Sequence, residues 1–146
     1  MATPTPFLMR LHQILKFILR YYLMLFLNSP NNPSGTVCEN LKEIASIAKK
    51  YKLIILSDEI YSRLTFDKRY LSISNFYPEG TIISTGLSKW CGAGGWRLGF
   101  FAIPNQLKEF KNSLKILCSE SFTSVSAPIQ YAAIEAYKGN YSEYLN

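Results

Sequence analysis

Histidine is almost absent: His12 is the one histidine in 146 residues. A Ser-His-Asp triad and a histidine-based zinc site are both unsupported by a lone histidine, since each needs imidazole beside its other groups. Cysteine is scarce as well. Cys38, Cys91 and Cys118 stand far apart and are odd in number. They offer neither a disulfide framework nor metal-ligand spacing, and they fit a reducing compartment. No metal site is expected. A Gly-Lys-Ser/Thr phosphate loop is missing. Gly92-x-Gly94 is not a dinucleotide fingerprint, because Arg97 stands where the third glycine belongs and no helical pattern opens there. The longest apolar run, YYLMLFL at 21–27, is far short of the ~20 residues that cross a bilayer. Internal repeats and low-complexity tracts are absent.

Acidic residues are in deficit: 10 Asp and Glu face 16 Lys and Arg, a net charge of +6. The basic residues are scattered, with no arginine-rich stripe, so a nucleic-acid partner is not expected. With 48% hydrophobic residues the chain is long enough for one globular domain. Residues 1–26 contain no acid, carry Arg10, Lys16 and Arg20, and are crowded with Leu, Ile, Phe and Tyr. Targeting peptides and membrane-surface helices can begin this way. Serine is too sparse for a transit peptide, and no small-residue cleavage site follows the apolar run. We read 1–27 as an atypical basic, apolar segment set apart from 28–146.

What is present is concentrated in three blocks. The stretch STGLSKWCGAGGWRLGFF at 84–101 sets Lys89 just after a β-type run and Arg97 beyond a turn of Gly92, Ala93, Gly94 and Gly95. A lysine on a glycine-rich turn with an arginine nearby suits covalent capture of a phosphorylated aldehyde. The amine can form an imine, and the guanidinium can grip phosphate with two parallel N–H···O bonds. NSPNNPSGT at 28–36 is a turn fixed by prolines and a glycine, from which Asn31 and Asn32 project amides. SDEIY at 57–61 follows the aliphatic run 53–56, which reads as a buried parallel strand.

The pattern between the blocks alternates in the α/β manner. Leu41, Ile44, Ala45 and Ala48 fall at helical spacing, with Lys49, Lys50 and Lys52 at the end that suits the helix dipole. Residues 68–80 read as an irregular, polar connection. Runs 81–85 and 98–103 read as strands, the second apolar enough to be buried. Pro104 opens a helix with Leu107, Phe110, Leu114 and Leu117 on one face. Pro128 opens a last helix over 129–137, closed by Gly139. Residues 140–146 read as the start of a further element. Ligands in open α/β sheets bind beyond the carboxyl ends of the strands. Asn32, Asp58, Tyr61 and Lys89 all follow such ends, so their polar groups are expected to converge on one crevice.

Each residue also has a plainer reading. Asp58 could be a helix cap or turn former, Lys89 a solvated lysine, and Asn32-Pro33 a loop. Tyr61 could be a core aromatic and Arg97 a surface charge. It is their order along the chain that favours chemistry. Glu59 is expected to point away from Asp58 and has no catalytic role.

Together the three blocks, in this order and spacing, resemble the pyridoxal-phosphate core of the class I/II aminotransferases (fold type I). The resemblance runs from about residue 25 to the C-terminus. It implies an α/β fold, a mostly parallel sheet flanked by helices, forming an incomplete aspartate-aminotransferase-like large domain. On this resemblance 28–146 is a partial domain for pyridoxal 5′-phosphate (PLP), and 1–27 replaces the family's usual N-terminal region. Lys89 would hold the cofactor covalently and then move the proton at the substrate α-carbon. Asp58 would pair with the pyridinium nitrogen, and Tyr61 and Asn32 with the ring's 3′ oxygen. Arg97 would hold the phosphate, with Ser88. Relatives often carry a phosphate-binding serine three residues before the lysine. This chain has Gly86 there, leaving Ser84 or Ser88 as the available hydroxyl.

The implied activity is amino-group transfer between an amino acid and a 2-oxo acid, by a cytoplasmic enzyme that is a homodimer at full length. A lyase or synthase on the same core is the enzymatic alternative. A catalytically inactive fragment that associates with a full-length relative is the alternative of another class. Family members are roughly two to three times this length. The glycine-containing phosphate turn, the aromatic that stacks on the ring, and the arginine for the substrate α-carboxylate are not found in this chain. The identity of the amino acid is therefore not legible in it.

Overall fold

The computed structural model describes residues 24–65 and 70–139. His12, most of the atypical segment 1–27, the loop residues 66–69 and the stretch 140–146 lie outside the described residues. The described chain builds a four-stranded sheet in the order β1 (Met24–Asn28), β2 (Ile54–Asp58), β3 (Thr81–Gly86), β4 (Gly99–Ala102). The first three strands are parallel, and β4 runs antiparallel to β3. Among the described residues three α-helices accompany the sheet: α1 (Leu41–Lys50), α2 (Lys108–Ser121) and α3 (Ala127–Lys138). This is the mostly parallel α/β architecture expected, with one antiparallel strand at the edge.

The crossover from β1 to β2 shows why the sequence folds as it does. Leu41, Ile44, Ala45 and Ala48 recur every three or four positions, and all four are buried on the sheet-facing side of α1. Glu43 in the first turn and Lys49 and Lys50 in the last complement the helix dipole. The helix ends in a Schellman-type turn: Leu53 N–H donates to Ala48 O at 2.9 Å and Lys52 N–H to Lys49 O at 3.2 Å. Lys52 takes the left-handed position there, with φ 55°. Fully buried Ile55 and Ile73 join this cluster with Leu53 and Tyr77. Each such aliphatic side chain stabilises the fold by about 1.5–3 kcal/mol relative to exposure.

Three details depart from the expectation. The connection read as irregular at 68–80 contains 3₁₀ turns at Ile73–Asn75 and Pro78–Gly80, and it contributes core residues, Ile73 and Tyr77. Turns of three residues carry no periodicity for a sequence pattern to reveal. Strand β4 is not buried: all four of its residues are exposed, because it is an edge strand that no described helix fully covers. Pro104 is followed first by the 3₁₀ turn Asn105–Leu107, and α2 begins at Lys108. No residue of α2 is buried among the described residues, with Phe110 and Leu117 exposed and Leu114 half-buried. A second cluster of Leu87, Trp90, Ala93, Leu98, Ala133 and Ala136 packs α3 beneath the turn that follows β3.

Candidate active site

The parallel register fixes the site. Asn28 pairs with Asp58, and Asp58 with Ser84, so the carboxyl ends of β1, β2 and β3 lie abreast. The loops leaving these ends carry the remaining groups. After β1, the turn of residues 28–36 is closed by backbone bonds from Asn31 N–H to Thr36 O at 2.9 Å and from Gly35 N–H to Asn31 O at 2.8 Å. Gly35 takes φ 69°, a value that glycine adopts without strain. Both X–Pro bonds of this turn, Ser29–Pro30 and Asn32–Pro33, are cis.

A chain of polar contacts crosses the strand ends. Asn31 Nδ2 donates to Asn28 Oδ1 at 3.4 Å, and Asn28 Nδ2 donates to Asp58 Oδ2, also at 3.4 Å. The other Asp58 oxygen accepts from Ile60 N–H at 3.3 Å. Asp58 is thus a turn former as well as a strand-end acid, and both carboxylate oxygens are oriented. The amide of Asn28 in this relay was not singled out from the sequence. The signal available was its place at the end of the strand that pairs with β2.

Asn32, Tyr61 and Lys89 come together. Asn32 Nδ2 donates to the Tyr61 hydroxyl at 3.2 Å. The Lys89 amine sits 5.5 Å from the centre of the Tyr61 ring, within cation–π reach. Beside them a cleft of about 580 Å³ is lined by Pro30, Asn31, Asn32, Pro33, Tyr61 and Leu64, among others. The Tyr61 oxygen accepts from Asn32, so its own proton is free for another acceptor.

The Lys89 turn is held from below. Trp90 is 2% exposed and donates from Nε1 to Gly86 O at 2.8 Å. Tyr137 of α3 packs edge-on against it at 5.2 Å, and the Arg63 guanidinium lies over the indole at 4.3 Å. Gly86 is required where it stands: a Cβ there would meet Leu98 O at 2.6 Å. A serine three residues before the lysine therefore has no room in this chain. Ser84 and Ser88, both half-buried, flank the position.

Arg97 and Ser88 are not joined to the rest by side-chain contacts among the described residues. The Arg97 guanidinium donates from Nη1 to Gly94 O at 2.8 Å, inside its own turn, and is exposed. Its backbone takes φ 56°, a left-handed conformation that costs a non-glycine residue of order 1–2 kcal/mol. Glu59 points away from the cleft into a buried polar cluster. Among the described residues no group of histidine, cysteine and acidic side chains could hold a metal ion. No described helix is long and apolar enough to cross a membrane.

Comparison with known proteins gives the family and the fold. Residues 13–144 match the family described as aminotransferase class I and II, and the chain belongs to that family. It is 37% identical over 119 residues to the aspartate aminotransferase of Geobacillus stearothermophilus, covering 77% of this chain and 30% of that one. Against the aspartate aminotransferase of Pyrococcus horikoshii it is 35% identical over 134 residues, covering 90% and 34%. Its fold superimposes on a double mutant of Thermus thermophilus aspartate aminotransferase with a TM-score of 0.79 and 31% identity, covering 91% of this chain and 33% of the other. The sheet and its helices are part of an aspartate-aminotransferase-like large domain, and the chain spans about a third of the length of these relatives.

Proposed function

We propose that this chain carries the PLP-handling core of an aminotransferase, acting in the transfer of an amino group between an amino acid and a 2-oxo acid. The observation that carries the reading is the meeting of Asn32, Tyr61 and Lys89 beside the strand end that bears Asp58. The donor set fits the cofactor: one amine, one oriented carboxylate, one phenol with a free proton, and an arginine on the adjoining turn. Bound PLP supplies an aldehyde for covalent attachment and a ring that accepts the electron pair released at the substrate α-carbon.

Each residue then has a task. Lys89 is the catalytic residue, giving the amine that binds the aldehyde and, once freed, moving the proton at the α-carbon. Asp58, oriented by Asn28 and by Ile60 N–H, would hold the ring nitrogen of the bound cofactor in its protonated form. Tyr61, through its phenol proton, and Asn32, through its amide, would hold the ring oxygen. Arg97 and Ser88 supply the phosphate contacts. For Arg97 this means releasing Gly94 O, an exposed bond that exchanges readily for one to a dianion. The partial PLP-binding domain at 28–146, the atypical segment 1–27, pairing with a second copy and residence in the cytoplasm all belong to this proposal. Nucleic acid and membrane have no part in it.

The test is reduction of the chain with borohydride in the presence of PLP, followed by peptide mass mapping. A pyridoxyl adduct on Lys89 that vanishes in Lys89→Ala is expected. An adduct distributed over surface lysines and unchanged by Lys89→Ala would reject the assignment.

A further inference from the structure

Glu59 is a carboxyl group that the reading above leaves unused, yet it is 6% exposed and richly bonded. Its Oε1 accepts from Ser57 Oγ at 3.0 Å and from Ser72 Oγ at 2.6 Å. The Tyr70 phenol also bonds to it; burial first, then the charge of Glu59, pushes that phenol up from its ordinary range. Ser72 in turn caps the 3₁₀ turn Ile73–Asn75, accepting from Ser74 N–H at 3.1 Å. The Glu59 main-chain N–H donates to Ser84 O at 2.8 Å. One residue thus ties the end of β2 to the end of β3 and to the connection that leads through Ser72 to β3.

Burying a carboxyl is costly unless its oxygens are satisfied, and a satisfied buried network selects one arrangement over its neighbours. The arrangement selected here is that of the peptide between Asp58 and Tyr61. Side chains at successive positions of an extended strand end point to opposite sides, so clamping Glu59 on one side fixes the opposite side, on which Asp58 meets Asn28, as the direction of the Asp58 carboxylate. We propose that Glu59 is a positioning residue for the cofactor site, setting the orientation of Asp58 and Tyr61 through its hydroxyl clamp of Ser57, Tyr70 and Ser72. The proposal rests on the PLP reading.

The experiment compares wild type, Glu59→Ala, Glu59→Gln and the remote core control Ile44→Val in the full chain. All are measured at a temperature where circular dichroism shows them folded. The readout is the PLP concentration that gives half-maximal borohydride trapping on Lys89. Glu59→Ala is expected to raise it about tenfold, and Glu59→Gln about threefold because the amide oxygen still accepts. Ile44→Val lowers the unfolding midpoint and leaves the trapping curve in place. An unchanged curve in Glu59→Ala with a lowered unfolding midpoint would overturn the positioning role and leave the PLP reading intact. No trapping on Lys89 in wild type would overturn both. Should Glu59→Ala not fold, Glu59→Gln and Ser72→Ala decide: a raised half-maximum supports the role, an unchanged one rejects it.

Discussion

The two halves of the sheet use apolar residues at helical spacing to different ends. On the β1–β2 side, Leu41, Ile44, Ala45 and Ala48 of α1 close over Ile55, Ile73 and Tyr77, and the face that the sequence marks as apolar is buried. After β4, α2 also carries an apolar face at helical spacing, yet Phe110 and Leu117 are exposed and Leu114 is half-buried. Both edge strands show the same contrast, with Phe26 of β1 and Phe100 and Phe101 of β4 exposed while the central strands β2 and β3 carry the buried Ile55 and Ile82. Periodicity therefore specifies which side of a helix wants a partner; it does not specify that a partner lies within the same stretch of chain. The candidate site draws on the covered parts, since Leu25 and Leu27 of β1 and Ile55 of β2 rest on α1 and the Lys89 turn rests on α3.

That contrast can be broken by substitution. The largest effect is expected at Trp90, whose removal opens a cavity under the Lys89 turn and leaves Gly86 O with only the longer, 3.4 Å bond from the Tyr137 hydroxyl. Trp90→Ala should cost about 4 kcal/mol in denaturant unfolding; a loss below ~1 kcal/mol would mean that the second cluster does not support the site. Ile73→Ala empties a fully buried position of the first cluster and should cost about 3 kcal/mol by the same measurement. Equal behaviour of Ile73 and Leu117 would erase the distinction between the halves. Leu117→Ala, on the exposed face of α2, should change stability by less than about 0.5 kcal/mol.

A pH experiment sharpens the same comparison from the buried polar side. Burial and the Glu59 charge raise the Tyr70 phenol above its ordinary value of 10.0. Above that pH an unfolded chain releases this proton while the folded chain keeps it, so stability is full below pH 10.0 and declines as pH rises further. Unfolding midpoints measured from neutral to strongly alkaline pH should fall less steeply in Tyr70→Phe than in wild type. Parallel curves would remove Tyr70 from the buried cluster.

Much of this was legible in the sequence because strand ends in a parallel sheet are a geometric address. Asn32, Tyr61 and Lys89 meet although 29 positions separate the first two, since the strands before them lie side by side. The buried face of α1 followed from spacing alone. Other features had no local signal. Ile73 and Tyr77 enter the core from 3₁₀ turns too short for periodicity, and Asn28 reaches Asp58 only through register. The exposure of β4 depends on what covers it rather than on its composition. Gly86, an apparent departure from relatives with serine there, is explained by the carbonyl of Leu98 on the neighbouring strand.

Parallel pairing also has a temporal meaning. Asn28 and Asp58 are 30 positions apart, and they can align only after the whole crossover with α1 has closed. Non-local pairing of this kind is slow, because loop-closure entropy is lost before any contact is gained. The cleft is then among the last features to appear as the chain folds, and α1 among the first. Stopped-flow refolding should show helical circular dichroism recovering before PLP capture by Lys89, and simultaneous recovery would contradict that order.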